Sequence, residues 1–242
     1  MRFNELLTAK NEHPANGPIP TIAFLGDSVT QGCFELYLTE NGTIDTIVDQ
    51  DAVYHADLAK LLHLLWPHCP VNLINAGISG DSAPGWLKRL ERDVLSHKPD
   101  LTVVSFGLND SHRGAAGLAM YRNSNALREI FQRLTGSGSE VIYMMQNMMN
   151  TVIRQDLTEE KYRVIAEKTM EHENDGTLAR YYEAGKAVAA ECGVKVCDGY
   201  TKWKRLQANG VKTTDLLANA INHPTRPMYW LFAVSLLETM TE

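Results

Sequence analysis

Thr21-Ile22-Ala23-Phe24-Leu25-Gly26-Asp27-Ser28-Val29-Thr30-Gln31-Gly32 is the stretch on which the reading of this chain turns. An apolar run of strand length ends in glycine, and a serine follows two positions later. Short apolar runs bounded by turn residues read as buried parallel strands. Open α/β sheets place their ligands at the carboxyl ends of such strands. The pattern therefore puts Ser28 at the crest of a sheet. Asp27 and Ser28 are also common helix caps, so capping and chemistry are both open from this stretch alone.

Working outward, 242 residues suit one domain, here expected to span 1–242. Hydrophobic content of 44% and charged content of 21% are those of a globular chain. A net charge of −6, with no Lys/Arg cluster, argues against a nucleic-acid partner. The N-terminus lacks the apolar core of a signal peptide, and no run approaches the roughly 20 apolar residues of a membrane span. The expectation is a cytoplasmic protein. Cys33, Cys69, Cys192 and Cys197 show no metal-ligand spacing and read as buried thiols.

Residues 1–20, broken by Pro14, Gly17, Pro18 and Pro20, read as a lead-in packed on the outside. Asn41-Gly42 between two short alternating runs predicts a hairpin over 33–52, inserted near the site. An amphipathic helix is expected over 52–66, stopped by Pro67. Further strands are expected at 71–75, 101–106, 141–145 and 194–197. Between and after them, helices are expected at about 84–96, 118–134, 158–192 (in two segments), 199–208 and 226–239. This alternation predicts a three-layer α/β/α domain with five parallel strands in flavodoxin-like order.

Three later stretches fall at strand ends: Asn75 to Ser82, Phe106-Gly107-Leu108-Asn109-Asp110, and Ala220-Ile221-Asn222-His223-Pro224. Taken singly, Asn109-Asp110 reads as a turn pair, Gly77 and Gly80 as turn glycines, and His223 as a loop histidine. Taken together they match acyl transfer. A serine hydroxyl needs an adjacent base, and the tetrahedral intermediate needs donors for its oxyanion. Gly80 offers an unobstructed N–H, Asn109 a side-chain amide, and His223 an imidazole. The α/β-hydrolase elbow, Walker, dinucleotide and His-Glu-x-x-His patterns are absent.

In these four blocks the chain resembles the SGNH/GDSL hydrolase superfamily over nearly its whole length. The resemblance implies Ser28 as nucleophile and oxyanion donor, Gly80 and Asn109 as further donors, and His223 as base, without metal or cofactor. Gly-Asp-Ser occurs twice, at 26–28 and 80–82, but only the first directly follows a buried strand. The family commonly writes its last block Asp-x-x-His, and here Ala220 stands in the aspartate's place. Asp215, Asn219, Asn222 or a backbone carbonyl are the alternatives for orienting His223. The resemblance further implies an esterase for short-chain, acetyl-type esters, including those on carbohydrates. An acyltransferase with the same machinery and a catalytically silent carbohydrate-binding relative remain the other readings.

Overall fold

The computed structural model describes residues 2–123 and 125–242. In chain order its strands are β1 (Thr21–Gly26), β2 (Cys33–Leu38), β3 (Ile44–Val48), β4 (Asn72–Asn75), β5 (Leu101–Ser105), β6 (Glu140–Met145) and β7 (Lys195–Asp198). Five of them form one parallel sheet in the order β4-β1-β5-β6-β7. Counted among themselves these strands run 2-1-3-4-5, the expected flavodoxin-like order. The order reverses between β1 and β5, and that switch point is where a crevice opens beyond the carboxyl ends.

The helices are α1 (Phe3–Glu12), α2 (Ser28–Gln31), α3 (Tyr54–Leu65), α4 (Ala83–Leu87), α5 (Leu90–Asp93), α6 (Leu108–Ser111), α7 (Gly114–Asn123), α8 (Ala126–Gly136), α9 (Glu160–Asn174), α10 (Thr177–Glu191), α11 (Gly199–Ala208) and α12 (Tyr229–Thr241). They flank the sheet, with α3 against α12 in one group and α10 against α7, α8 and α9 in another. β1 and β5 are buried along almost their whole length, which explains their unbroken apolar runs. Their backbone groups pair with both neighbours, so the strand ends are held rigidly.

Several local expectations need correction. The lead-in contains a helix, α1, whose Phe3 and Leu7 are buried at a spacing of one turn. The single helix expected over 84–96 is two short helices and a 3₁₀ turn. The break falls at Arg89, which turns aside to bind Asp81 and Asp93 and to lie 3.5 Å over the Trp86 ring. The helix expected over 118–134 is α7 followed by α8, with position 124 between them outside the described residues. Of the four cysteines, all free thiols, Cys192 is only half-buried. Among the described residues no helix is long and apolar enough to cross a membrane.

β2 and β3 form a separate antiparallel ribbon joined across Asn41-Gly42. Its base returns to the domain where the Asp49 N–H donates to the Gly32 carbonyl at 2.9 Å. The ribbon leaves the chain directly after α2 and stands beside the carboxyl end of β1.

Candidate active site

At Gly26 the chain turns so tightly that a Cβ there would lie 2.1 Å from Thr30 Oγ1, so only glycine fits. The turn starts α2 at Ser28. Asp27 supplies the N-cap, its Oδ1 accepting from the Val29 N–H at 3.0 Å and from Gln146 Nε2 at 2.9 Å. The two readings of the opening stretch thus divide between two residues: Asp27 caps, and Ser28 points elsewhere.

Ser28 Oγ lies 2.9 Å from His223 Nε2, although 195 residues separate them. Both side chains are nearly enclosed, with 3% and 4% of their surfaces exposed. On the other side of the ring, Nδ1 lies 3.0 Å from the carbonyl oxygen of Phe34, in β2. A carbonyl can only accept, so this contact places the proton on Nδ1 and leaves Nε2 with its lone pair toward Ser28. Burial pushes the His223 pKa down from 6.5 to about 4, against smaller upward pulls from the Phe34 carbonyl and the Glu35 charge. The imidazole is neutral at pH 7.

The loop carrying His223 is built on Asn219. Its Oδ1 accepts from the backbone N–H groups of Ile221, Asn222 and His223, at 3.0, 2.9 and 3.0 Å. Its Nδ2 donates to Asn222 Oδ1 at 2.9 Å. Ala220, in the position where the resembling family carries aspartate, adopts a left-handed φ of 58°. Asp215 stands apart from this assembly. It sits on the 3₁₀ turn Thr213–Leu216, exposed, and lines a different surface cavity. Of the alternatives for orienting His223, the backbone carbonyl occupies Nδ1.

The residues around the Phe34 carbonyl are anchored from outside. Arg226 donates to both carboxylate oxygens of Glu35, at 2.6 and 3.1 Å, and through Nε to Asp49 at 2.9 Å. Its guanidinium lies 4.1 Å over the Phe34 ring. One cation thus ties β2 and the residue that follows β3 to the segment just after His223.

A cavity of about 300 Å³ brings Ser28, Gly80, Asn109 and His223 together. Gly80 has a φ of +77°, suited to glycine, and open space where a Cβ would stand. Asn109 Nδ2 donates to the Asp81 carbonyl at 3.0 Å, which fixes the amide and leaves its second N–H available. The Gly80 loop is braced on two sides. Gln31 Oε1 accepts from the Ser79 N–H at 2.6 Å, and Arg89 holds the Asp81 carboxylate. Trp86, under Arg89, donates to the Gly26 carbonyl at 2.9 Å and so links this loop to the end of β1. In the second Gly-Asp-Ser, Asp81 is a brace and Ser82 the N-cap residue before α4. Leu36, Ile44, Val48, Ile165 and Ile221 supply the apolar lining. Among the described residues, no group of three His, Cys, Asp or Glu is arranged to hold a metal ion.

Reasoning from the sequence did not single out Phe34, Gln31 or Arg226. Arg226 lay three residues beyond the chosen histidine and was the only one of these carrying a signal, a cation amid otherwise uncharged loop sequence.

A family model, the GDSL-like Lipase/Acylhydrolase family, matches residues 24–231. An acetylxylan esterase of Geobacillus stearothermophilus is 30% identical over 92 residues, which are 38% of this chain and 40% of that protein. Esterase TesA of Pseudomonas aeruginosa is 35% identical over 72 residues, 30% of this chain and 34% of that one. The matched segment is thus well under half of either relative's length. Among solved structures, an acetylxylan esterase from Geobacillus stearothermophilus superimposes with a TM-score of 0.67 at 20% identity, covering 93% of this chain and 96% of that one. A two-domain esterase active on acetylated mannans gives 0.67 at 16% identity, covering 99% of this chain and 52% of that one. At these identities the superpositions establish the shared fold.

Proposed function

The chain belongs to the GDSL-like lipase/acylhydrolase family, and from that membership and the geometry of its cavity we propose that it is a serine esterase removing short acyl groups, acetyl above all, from carbohydrate esters. The observation that carries the reading is the 2.9 Å contact between Ser28 Oγ and the unprotonated Nε2 of His223. A serine paired with a base of fixed tautomer is the arrangement nucleophilic catalysis requires.

In the proposed reaction Ser28 Oγ attacks the ester carbonyl carbon while its proton passes to His223 Nε2. The carbonyl oxygen becomes the oxyanion, held by the Ser28 and Gly80 N–H groups and the free N–H of Asn109. Such pre-placed donors favour the charge that develops only in the transition state. The C–O bond then breaks, and the imidazolium returns its proton to the departing alcohol oxygen. Water, deprotonated by His223, attacks the acyl-enzyme and releases the acid and free Ser28. Throughout, the imidazolium is stabilised by the Phe34 carbonyl dipole, in a dyad backed by the peptide group.

The preference for short acyl groups rests on the cavity's size and on the ribbon that crowds it: 300 Å³ is at the low end for small-molecule pockets. The carbohydrate part rests on relatives described as acting on acetylated xylan and mannan. The test is an organophosphate probe with peptide mapping, alongside acetyl, butyryl and octanoyl esters and acetylated sugars. Labelling of Ser28 with acetyl esters turned over best is expected. A label on Ser82, or kcat/KM rising toward octanoyl, would overturn the assignment.

A further inference from the structure

The cavity at Ser28 does not end at the ribbon. It shares Leu36 and Asn219 with a shallow neighbour of about 140 Å³. That neighbour shares Arg154 and Asp156 with a third, much larger depression of about 830 Å³. Sharing these lining residues, the three depressions lie next to one another in a row, a trough divided by those side chains. It passes from the nucleophile over the Asn219–Ala220 turn to the 151–156 segment and Lys212. The proposed ester chemistry uses only the first of the three.

We infer that this trough is a binding site for the alcohol portion of an extended, neutral, polyhydroxylated substrate, an oligosaccharide longer than the sugar unit that carries the ester. The inference rests on the esterase reading and deepens it.

Size gives the first argument. A pocket of 300 Å³ is enough for a small acylated unit, whereas 830 Å³ accommodates a ligand of several rings. Charge gives the second. Arg154 and Lys212 line the large depression together with Asp156 and Asp215, so its cations and anions balance in number. Arg154 is already engaged with Asp156, its Nε donating to Oδ1 at 2.9 Å. A phosphate-bearing or uronic-acid chain would meet as much repulsion as attraction here. A chain of hydroxyl groups would find donors and acceptors in alternation. Surface chemistry gives the third. Tyr162 lines the narrow middle of the trough and Val152, 55% exposed, lines the far end. Apolar faces beside polar edges suit the C–H faces of sugar rings.

The experiment is a length series: acetylated xylo- and manno-oligosaccharides of one to six units, with 4-nitrophenyl acetate as the short reference ester. Expected is a rise of about tenfold or more in kcat/KM from one unit to four, carried mainly by KM. In K212A and R154A, folded by circular dichroism, the ratio of tetramer to reference kcat/KM falls back by a similar factor. A series flat in length, with the reference ester turned over normally, would overturn the trough and leave the esterase reading standing. If no ester is turned over through Ser28, the esterase reading fails. The trough is then decided by calorimetry of the same oligosaccharides on the S28A protein, where absence of binding at millimolar concentration would sink it.

Discussion

His223 Nδ1 faces the Phe34 carbonyl at 3.0 Å, so a peptide group of the ribbon stands where a carboxylate would complete a Ser-His-Asp triad. The carbonyl fixes the tautomer as a carboxylate would, but it brings a dipole in place of a full charge. Removing the carboxylate from a complete triad costs about 10⁴ in kcat. Asp215 is exposed on a separate turn, and the Phe34 carbonyl occupies Nδ1. Asp215→Asn is expected to lower kcat on 4-nitrophenyl acetate by less than about a hundredfold. A fall of several thousandfold, with circular dichroism unchanged, would make Asp215 the missing triad member.

Arg226 contacts the surroundings of the Phe34 carbonyl, binding Glu35 and Asp49 and covering the Phe34 ring. Arg226→Ala is expected to cut kcat by about 10- to 100-fold, the usual consequence of a small misplacement at the reacting groups. Tm should change little, since partly exposed ion pairs contribute about 1 kcal/mol or less. A variant that loses Tm and keeps kcat would reduce Arg226 to an ordinary surface brace.

The sheet was legible because β1, β5 and β6 are largely apolar runs, while β4 and β7 keep only a short apolar centre between polar ends. The parallel order then followed from the helices between the runs. The hairpin was legible from Asn41-Gly42 between two short alternating runs. Helix α1 was missed although Phe3, Leu7 and Lys10 mark one buried face, because four proline and glycine residues downstream dominated the reading. The break at Arg89 left no local trace: Trp86, Leu90 and Val94 keep a helical spacing, and the Arg89–Asp81 ion pair found at the break is not legible from the apolar pattern. Three of the four candidate blocks were legible through a side chain able to carry chemistry, Ser28, Asn109 and His223, and the fourth through the glycine turn at Gly80. The Phe34 carbonyl was not, since every residue has one and its use depends on where the ribbon folds.

Asn109 presents its amide to the cavity with one N–H already bound to the Asp81 carbonyl. Asn109→Ala is expected to lower kcat by about 10²–10³ while KM moves far less, as the loss of an oxyanion donor does. Unchanged kcat would return Asn109 to the role of a turn residue.

The pH dependence separates two buried groups. His223 is pushed down to about 4, chiefly by burial, so it stays an available base well below neutrality. Asp27 is pushed up to about 7, again chiefly by burial, with the Gln146 and Val29 hydrogen bonds and Asp110 as smaller influences. Its Oδ2 is buried without a hydrogen-bond partner among the described residues, a position that disfavours the charged form. For stability the two act in opposite directions. An unfolded histidine takes up its proton near 6.5 and the folded one only near 4, so His223 weakens the fold as pH falls through that interval. An unfolded aspartate loses its proton near 3.8 and the folded Asp27 only near 7, so its contribution is full below 3.8 and lost as pH rises to 7. For activity, kcat/KM on 4-nitrophenyl acetate is expected to show an acid limb near 4 from His223 and an inflection near 7 from Asp27. Asp27→Asn keeps the cap but cannot ionise, so it should erase the upper inflection and leave the lower limb in place. A single limb near 6.5, the same in both proteins, would mean that His223 titrates as a solvated imidazole and that the enclosure of the dyad opens in solution.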